Sequence, residues 1–193
     1  MEKHCMATHR TFEQHLIEFC APTLASLKTA SLFQYAYEEE TELQEQQELW
    51  SRILENKGIR ICVLRKWEQH ALIYVYRPER LSLDLSGKGV ENFLKKSGYC
   101  GHDPKTALEH LKERIAESDT FPHEIGLFLS YPLGDVVGFI RNRGQNCKCV
   151  GCWKVYCNEC EARRTFARYD KCTSVYSRLW RAGRSVCDLT VAA

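Results

Sequence analysis

Five cysteines stand between residues 147 and 160: Cys147, Cys149, Cys152, Cys157 and Cys160. Thiolates are both metal ligands and redox nucleophiles, and the pairs Cys149-x2-Cys152 and Cys157-x2-Cys160 invite a zinc or iron–sulfur reading. Only four residues separate the two pairs, against roughly 12–20 in zinc-binding arrangements. If Trp153 to Tyr156 is extended, Cys152 and Cys157 stand roughly 16 Å apart. Two thiolates on one tetrahedral zinc must sit roughly 3.8 Å apart. A site built from Cys149, Cys152, Cys157 and Cys160 therefore needs the chain to fold back, and none of the residues Trp153 to Tyr156 is a turn former. The alternative to a metal site is a set of small, partly buried hydrophobes, a common role of free cysteine. Cys157 and Cys160 flank the expected start of a helix, whose dipole lowers thiol pKa, so if any thiols here are reactive these two are the candidates.

Charge forms the second pattern. Residues 141–184 carry eleven basic and three acidic side chains, whereas residues 1–60 carry ten acidic and six basic. On the expected last helix Arg164, Arg168, Lys171, Arg178 and Arg181 fall along one side, and Phe166, Tyr169, Thr173, Tyr176 and Trp180 along an adjacent one. Cations beside rings suit phosphates or single-stranded nucleic acid. The whole chain has a net charge of only +2, so a nucleic-acid partner is not expected. His123-Glu124 after Pro122 opens a helix with no nucleophile in view. No nucleophile elbow, HExxH or glycine-rich dinucleotide fingerprint occurs, and Ser86-Gly87-Lys88-Gly89 lacks the spacing of a phosphate loop.

The elements that must position these groups follow from periodicity. Ala21-Pro22-Thr23 with Leu24, Leu27 and Ser31 reads as a helix ending near Phe33. Leu43, Trp50, Ile53 and Leu54 give a second helix from Glu38 to Asn56, its first half loaded with glutamates that favour the positive end of the helix dipole. Ile59, Ile61 and Val63, then Ala71 to Tyr76, alternate as a β-hairpin, with Pro78 as its stop. A short helix runs from Val90 to Gly98, and Asp103-Pro104 caps another through Ile115. Two short apolar helices separated at Tyr131-Pro132 fill Phe121 to Asn142. The second is too apolar for a DNA recognition helix. Lys148 to Tyr156 reads as a third strand, and Asn158 caps a long helix to about Ala182, stopped by Gly183.

The order predicts an α+β fold: a small, mostly antiparallel sheet made of a hairpin plus one later strand, packed with several helices and closed by a long C-terminal helix. With 193 residues, 44% hydrophobic and 27% charged, one α+β domain over residues 20–193 is expected, preceded by a short N-terminal extension, residues 1–19. Eleven cysteines is an odd count, so they cannot all pair internally. The N-terminus lacks the apolar run of a secretory signal, and no segment is long enough to span a bilayer, so a cytoplasmic protein with reduced thiols and no membrane partner is expected.

Several blocks carry a resemblance: Cys20-Ala21-Pro22-Thr23-Leu24-Ala25 with Lys28 to Phe33; Pro122 to Pro132 running into Asp135 to Ile140; Trp153-Lys154-Val155-Tyr156; and Phe166 to Cys172. Together they resemble a bacterial family designated domain of unknown function 3793, over nearly the whole chain from about Cys20. The resemblance implies no activity. The family pattern has an aromatic at the position of Cys152 and a small residue at that of Cys157. A metal site here would thus be private to this member. The blocks point to a cleft in which Trp153, Lys154 and Tyr156 face Arg168, Tyr169, Lys171 and Cys172, with Glu124 alongside, suited to a flat anionic ligand or an acidic protein surface. The leading expectation is a non-catalytic binding or accessory protein without a cofactor, the alternative a thiol-based metal or redox protein.

Overall fold

A computed structural model describes residues 10–100, 103–117 and 121–192. Helix α1 (Phe12–Leu24) opens with a capping box, in which the Thr11 hydroxyl accepts from the Gln14 amide and the Gln14 side chain accepts from the Thr11 amide. Phe12, Leu16 and Ile17 of this helix are buried in the main core. The expected boundary after residue 19 therefore falls inside α1, whose Phe12, His15, Leu16 and Ile17 are buried rather than part of an extension; residues 1–9 lie outside the described chain.

The expected helix from Pro22 to Phe33 is not formed. Pro22 lies in the last turn of α1, which ends two residues later, and Ala30–Ala36 is strand β1. Ser31, Phe33 and Tyr35 are buried and Gln34 is exposed, a period of two that the helical spacing of Leu24, Leu27 and Ser31 masked. Helix α2 (Glu40–Glu55) and the hairpin strands β2 (Arg60–Trp67) and β3 (His70–Tyr76) stand where the sequence places them. The sheet is antiparallel, in the order β1-β3-β2, with β3 central.

The central strand divides two cores. Ala71, Ile73 and Val75 face the first, with Phe12, Leu16, Phe33 and Trp50. Tyr74 and Tyr76 face the second, which gathers Leu81, Leu111 and Phe128. The helices of that second side are α3 (Pro78–Leu85), α4 (Val90–Lys96), α5 (Pro104–Glu117), α6 (Ile125–Phe128) and α7 (Leu133–Arg141). Pro78 does not merely stop the hairpin: it is the first residue of α3, where its missing N–H costs nothing.

The sheet's third strand is β1, not the segment from Lys148 to Tyr156. That segment is a separate two-stranded ribbon, β4 (Cys149–Val150) and β5 (Lys154–Val155). It turns at Gly151, whose amide donates to the Trp153 carbonyl at 3.1 Å. Helix α8 (Glu159–Arg181), capped by Asn158, packs along α1, and a last turn, α9 (Val186–Leu189), returns to α1 as well. Among the described residues no helix is long and apolar enough to cross a membrane.

Candidate functional site

Asp135 organises the ribbon. It lies in the first turn of α7 and is 3% exposed. One carboxylate oxygen accepts from the Trp153 indole N–H at 2.8 Å, and the other from the backbone amides of Tyr156 and Cys157, each at 2.8 Å. Three donors held by one acceptor-only group fix the position of β5 and the approach to α8. Close contact is possible because the neighbours are glycines. A Cβ on Gly138 would lie 2.5 Å from the Cβ of Tyr156, and one on Gly151 would lie 2.2 Å from the ring of Phe166.

Trp153 is the hub of the resulting aromatic cluster. Its ring stacks on Tyr131 at 4.9 Å and meets Phe166 edge-on at 4.5 Å. Between α6, α7 and the ribbon opens a cavity of about 230 Å³, walled by Phe121, His123, Tyr131, Phe139, Trp153 and Lys154. The Lys154 ammonium donates to the Gly144 carbonyl at 2.8 Å and lies 5.8 Å over the Phe139 ring. On the other side of the Asp135–Trp153 bridge lies a more polar groove of about 410 Å³, bounded by Leu27, Ser130, Asn158, Thr165, Arg168 and Tyr169.

The cleft expected from the sequence is thus two adjoining cavities. Trp153 and Lys154 wall the first, and Arg168 and Tyr169 the second, with Trp153 shared. Tyr156 packs against Gly138, its hydroxyl buried without a hydrogen-bond partner. It walls neither cavity, and three further residues fall outside. Glu124 is buried on α6's approach, where it accepts from the Arg114 guanidinium at 2.5 Å and the Tyr99 hydroxyl at 3.2 Å. Lys171 is exposed on α8 and walls neither cavity. Cys172 is buried, and burial pushes its thiol up to about 11. No spacing rule points to Asp135; its one signal in the sequence is a lone carboxylate in the first turn of a largely apolar helix.

The cysteines diverge. The chain turns at Gly151, before Trp153, and not between Cys152 and Cys157, where Lys154–Val155 is extended; among the described residues no three His, Cys, Asp or Glu side chains are grouped to hold a metal ion. Cys149 packs with Val155 and Phe166, Cys157 places its sulfur against Gly134, and Cys152 sits at the turn with its carbonyl accepting from Tyr131. At Cys157, desolvation and the adjacent Asp135 carboxylate push the thiol up from the ordinary value, against the lowering expected of a helix dipole. All ten described cysteines are free.

One more cation belongs to this neighbourhood. Lys28, half-buried after α1, places its ammonium 5.6 Å over the Tyr131 ring and 6.0 Å over that of Tyr169. Burial draws its pKa down from the usual value, opposed by nearby Cys152 and Cys20.

A family model described as a protein of unknown function, DUF3793, matches residues 16–190. The chain belongs to the DUF3793 family. No curated protein and no solved structure matches it. In this DUF3793 chain the four blocks that carry the sequence resemblance meet in space: Lys28 from the first, Tyr131 and Asp135 from the second, Trp153 from the third and Tyr169 from the fourth.

Proposed function

We propose that this DUF3793 protein is a non-catalytic cytoplasmic binding or accessory protein, and that the aromatic cavity beside Trp153 takes a flat, anionic small molecule. The observation that carries the reading is the composition of that cavity's wall. Rings from Phe121, His123, Tyr131, Phe139 and Trp153 surround it, Lys154 brings the one ammonium on that wall, and the Asp135 carboxylate there is already engaged by three donors. Rings stack on flat ligands, and a cation with no carboxylate within ion-pair distance among the described residues favours an anionic substituent. A concave, ring-lined pocket favours a small molecule over an acidic protein surface, which would instead require the exposed cations of α8. The free cysteines accord with a reducing compartment.

Thermal scanning against nucleotides, flavins and phosphorylated metabolites tests this. One class should raise the unfolding midpoint. Trp153→Ala should abolish the rise, and Lys154→Gln should weaken it for charged members only. An unchanged midpoint with every class would overturn the reading.

A further inference from the structure

A cavity of about 400 Å³ opens where α1 and α2 end and α3 begins, and it shares no wall residue with the aromatic cavity or the polar groove. Three arginines line it: Arg60 from the start of β2, and Arg77 and Arg80 from the junction of β3 with α3. Arg77 is buried, yet its acceptors are the neutral carbonyls of Thr23, Leu24, Lys57 and Val191, which take four of a guanidinium's five N–H groups. These bonds occupy carbonyls at the end of α1 and just past α2 that would otherwise oppose an anion. Arg80 donates to the Ser26 carbonyl and hydroxyl, and Arg60 is exposed. Among the described residues no carboxylate lies within ion-pair distance of any of the three, although Glu55 and Glu79 stand on the same wall. Buried charge is ordinarily matched by an opposite charge, and guanidiniums gathered on one cavity repel one another. The backbone adds to the same sign: α3 starts at this wall with Pro78, and no side chain caps its first turn, a setting that favours an oxyanion.

We propose that this cavity binds a small polyhydroxylated phosphate ester, its phosphate held by Arg60 and Arg80 with Arg77 as a fixed buried charge. A guanidinium fork matches two phosphate oxygens. The rest of the wall specifies the organic part. It carries no aromatic side chain, so a flat ring finds nothing to stack on, whereas Ser26, Glu55 and Glu79 offer acceptors to hydroxyl groups. The volume lies within the range of small-molecule pockets, roughly 300–1,000 Å³, which leaves room for more than the phosphate alone. This site goes beyond the reading of the aromatic cavity and stands without it.

The test titrates the full chain by calorimetry, at constant ionic strength, with glycerol 3-phosphate, ribose 5-phosphate and glucose 6-phosphate. Inorganic phosphate and the unphosphorylated parent compounds are the controls. At least one ester should bind several-fold more tightly than inorganic phosphate, and its parent should not bind. Arg60→Gln and Arg80→Gln should each weaken that ester about tenfold, the usual loss for one charge-assisted bond. Arg164→Gln, which removes an exposed cation of α8, should leave it unchanged. Arg77 stays in place because its four carbonyl bonds tie the fold together. An equal loss in Arg164→Gln would overturn the proposal as general charge attraction. So would binding of inorganic phosphate as tight as that of every ester, or no binding by any ester. Trp153→Ala should keep the ester's affinity, whereas it removes whatever occupies the aromatic cavity, so either reading can fail without the other. Loss of the ester in Trp153→Ala with retention in Arg60→Gln and Arg80→Gln would overturn this site in favour of that cavity.

Discussion

At the scale of single residues, the buried side chains with unusual surroundings give the sharpest predictions. Asp135→Asn replaces one acceptor oxygen by an NH2 group, which must then face either the Trp153 indole N–H or the two backbone amides. Losing charge-assisted bonds and creating a donor–donor contact should cost about 2–3 kcal/mol, measured by urea unfolding. Trp153 fluorescence should shift to the red as the ribbon loosens. The buried thiols predict a pH dependence. Burial raises Cys62 and Cys172 to about 11. Unfolded thiols ionise from an ordinary pKa near 8.5–9. The unfolded state therefore loses protons first, and stability should be full below pH ~8.5 and fall as pH rises towards 11. Cys62→Ala with Cys172→Ala should flatten that decline in an unfolding series across this range. Composition showed that the cysteines could not all pair. It could not show which were buried, because burial depends on partners such as Val155 and Phe166 for Cys149, brought together only by the fold.

Elements were legible where their periodicity was long and single-valued. The hairpin β2–β3 and helices α2, α5 and α8 have apolar positions that repeat through several turns or residues, so local pattern and burial agree. β1 is hidden in the sequence because Leu24, Leu27 and Ser31 fit a helical stripe while the decisive alternation of Ser31, Phe33 and Tyr35 has only three members. The β4–β5 ribbon looks like one strand in the sequence because its turn depends on Gly151 lying against the Phe166 ring, a contact fifteen residues away along the chain. That dependence is testable. Gly151→Val would drive a side chain into the ring, undock the ribbon, and should remove the ligand-induced thermal shift while helices α1 and α2 keep their circular dichroism. Arg77 ties several elements at once. It is 2% exposed, and its guanidinium donates to the carbonyls of Thr23 at 2.9 Å, Leu24 at 3.0 Å, Lys57 at 3.2 Å and Val191 at 2.7 Å. Arg77→Met keeps the stem but orphans these acceptors, and should destabilise the protein by about 3 kcal/mol in denaturant titration.

For the molecule as a whole, the charge asymmetry read from the sequence survives folding. Arg164, Arg168, Lys171, Arg178 and Arg181 are all exposed on α8, and the glutamates of α2 do not pair with them: Glu40 meets Lys66 of β2, and on α8 Arg163 meets Glu159. Apart from Arg114–Glu124, the ion pairs among the described residues are substantially exposed. Exposed pairs contribute ~0–1 kcal/mol each and are screened by salt. Raising sodium chloride from low concentration to about half molar, past which exposed charges barely interact, should therefore move the unfolding midpoint little, whereas Glu124→Gln should lower it at every salt concentration. The site as a whole was half legible. Trp153, Lys154, Arg168 and Tyr169 could be named from ring and charge pattern, but the partition into two cavities rests on Asp135, which no spacing rule connects to Trp153.

The tail that reaches Arg77 also sets an order of events during synthesis. Val191 closes on α1 from both sides, its amide donating to the Leu24 carbonyl at 3.0 Å while its carbonyl receives Arg77. Helix α1 leaves the ribosome well before residues 186–191. The end of α1 must therefore wait, incompletely bonded, until those residues have been made. A nascent chain stalled before Val186 should accordingly be cut by protease near Leu24, and one released after Val191 should not.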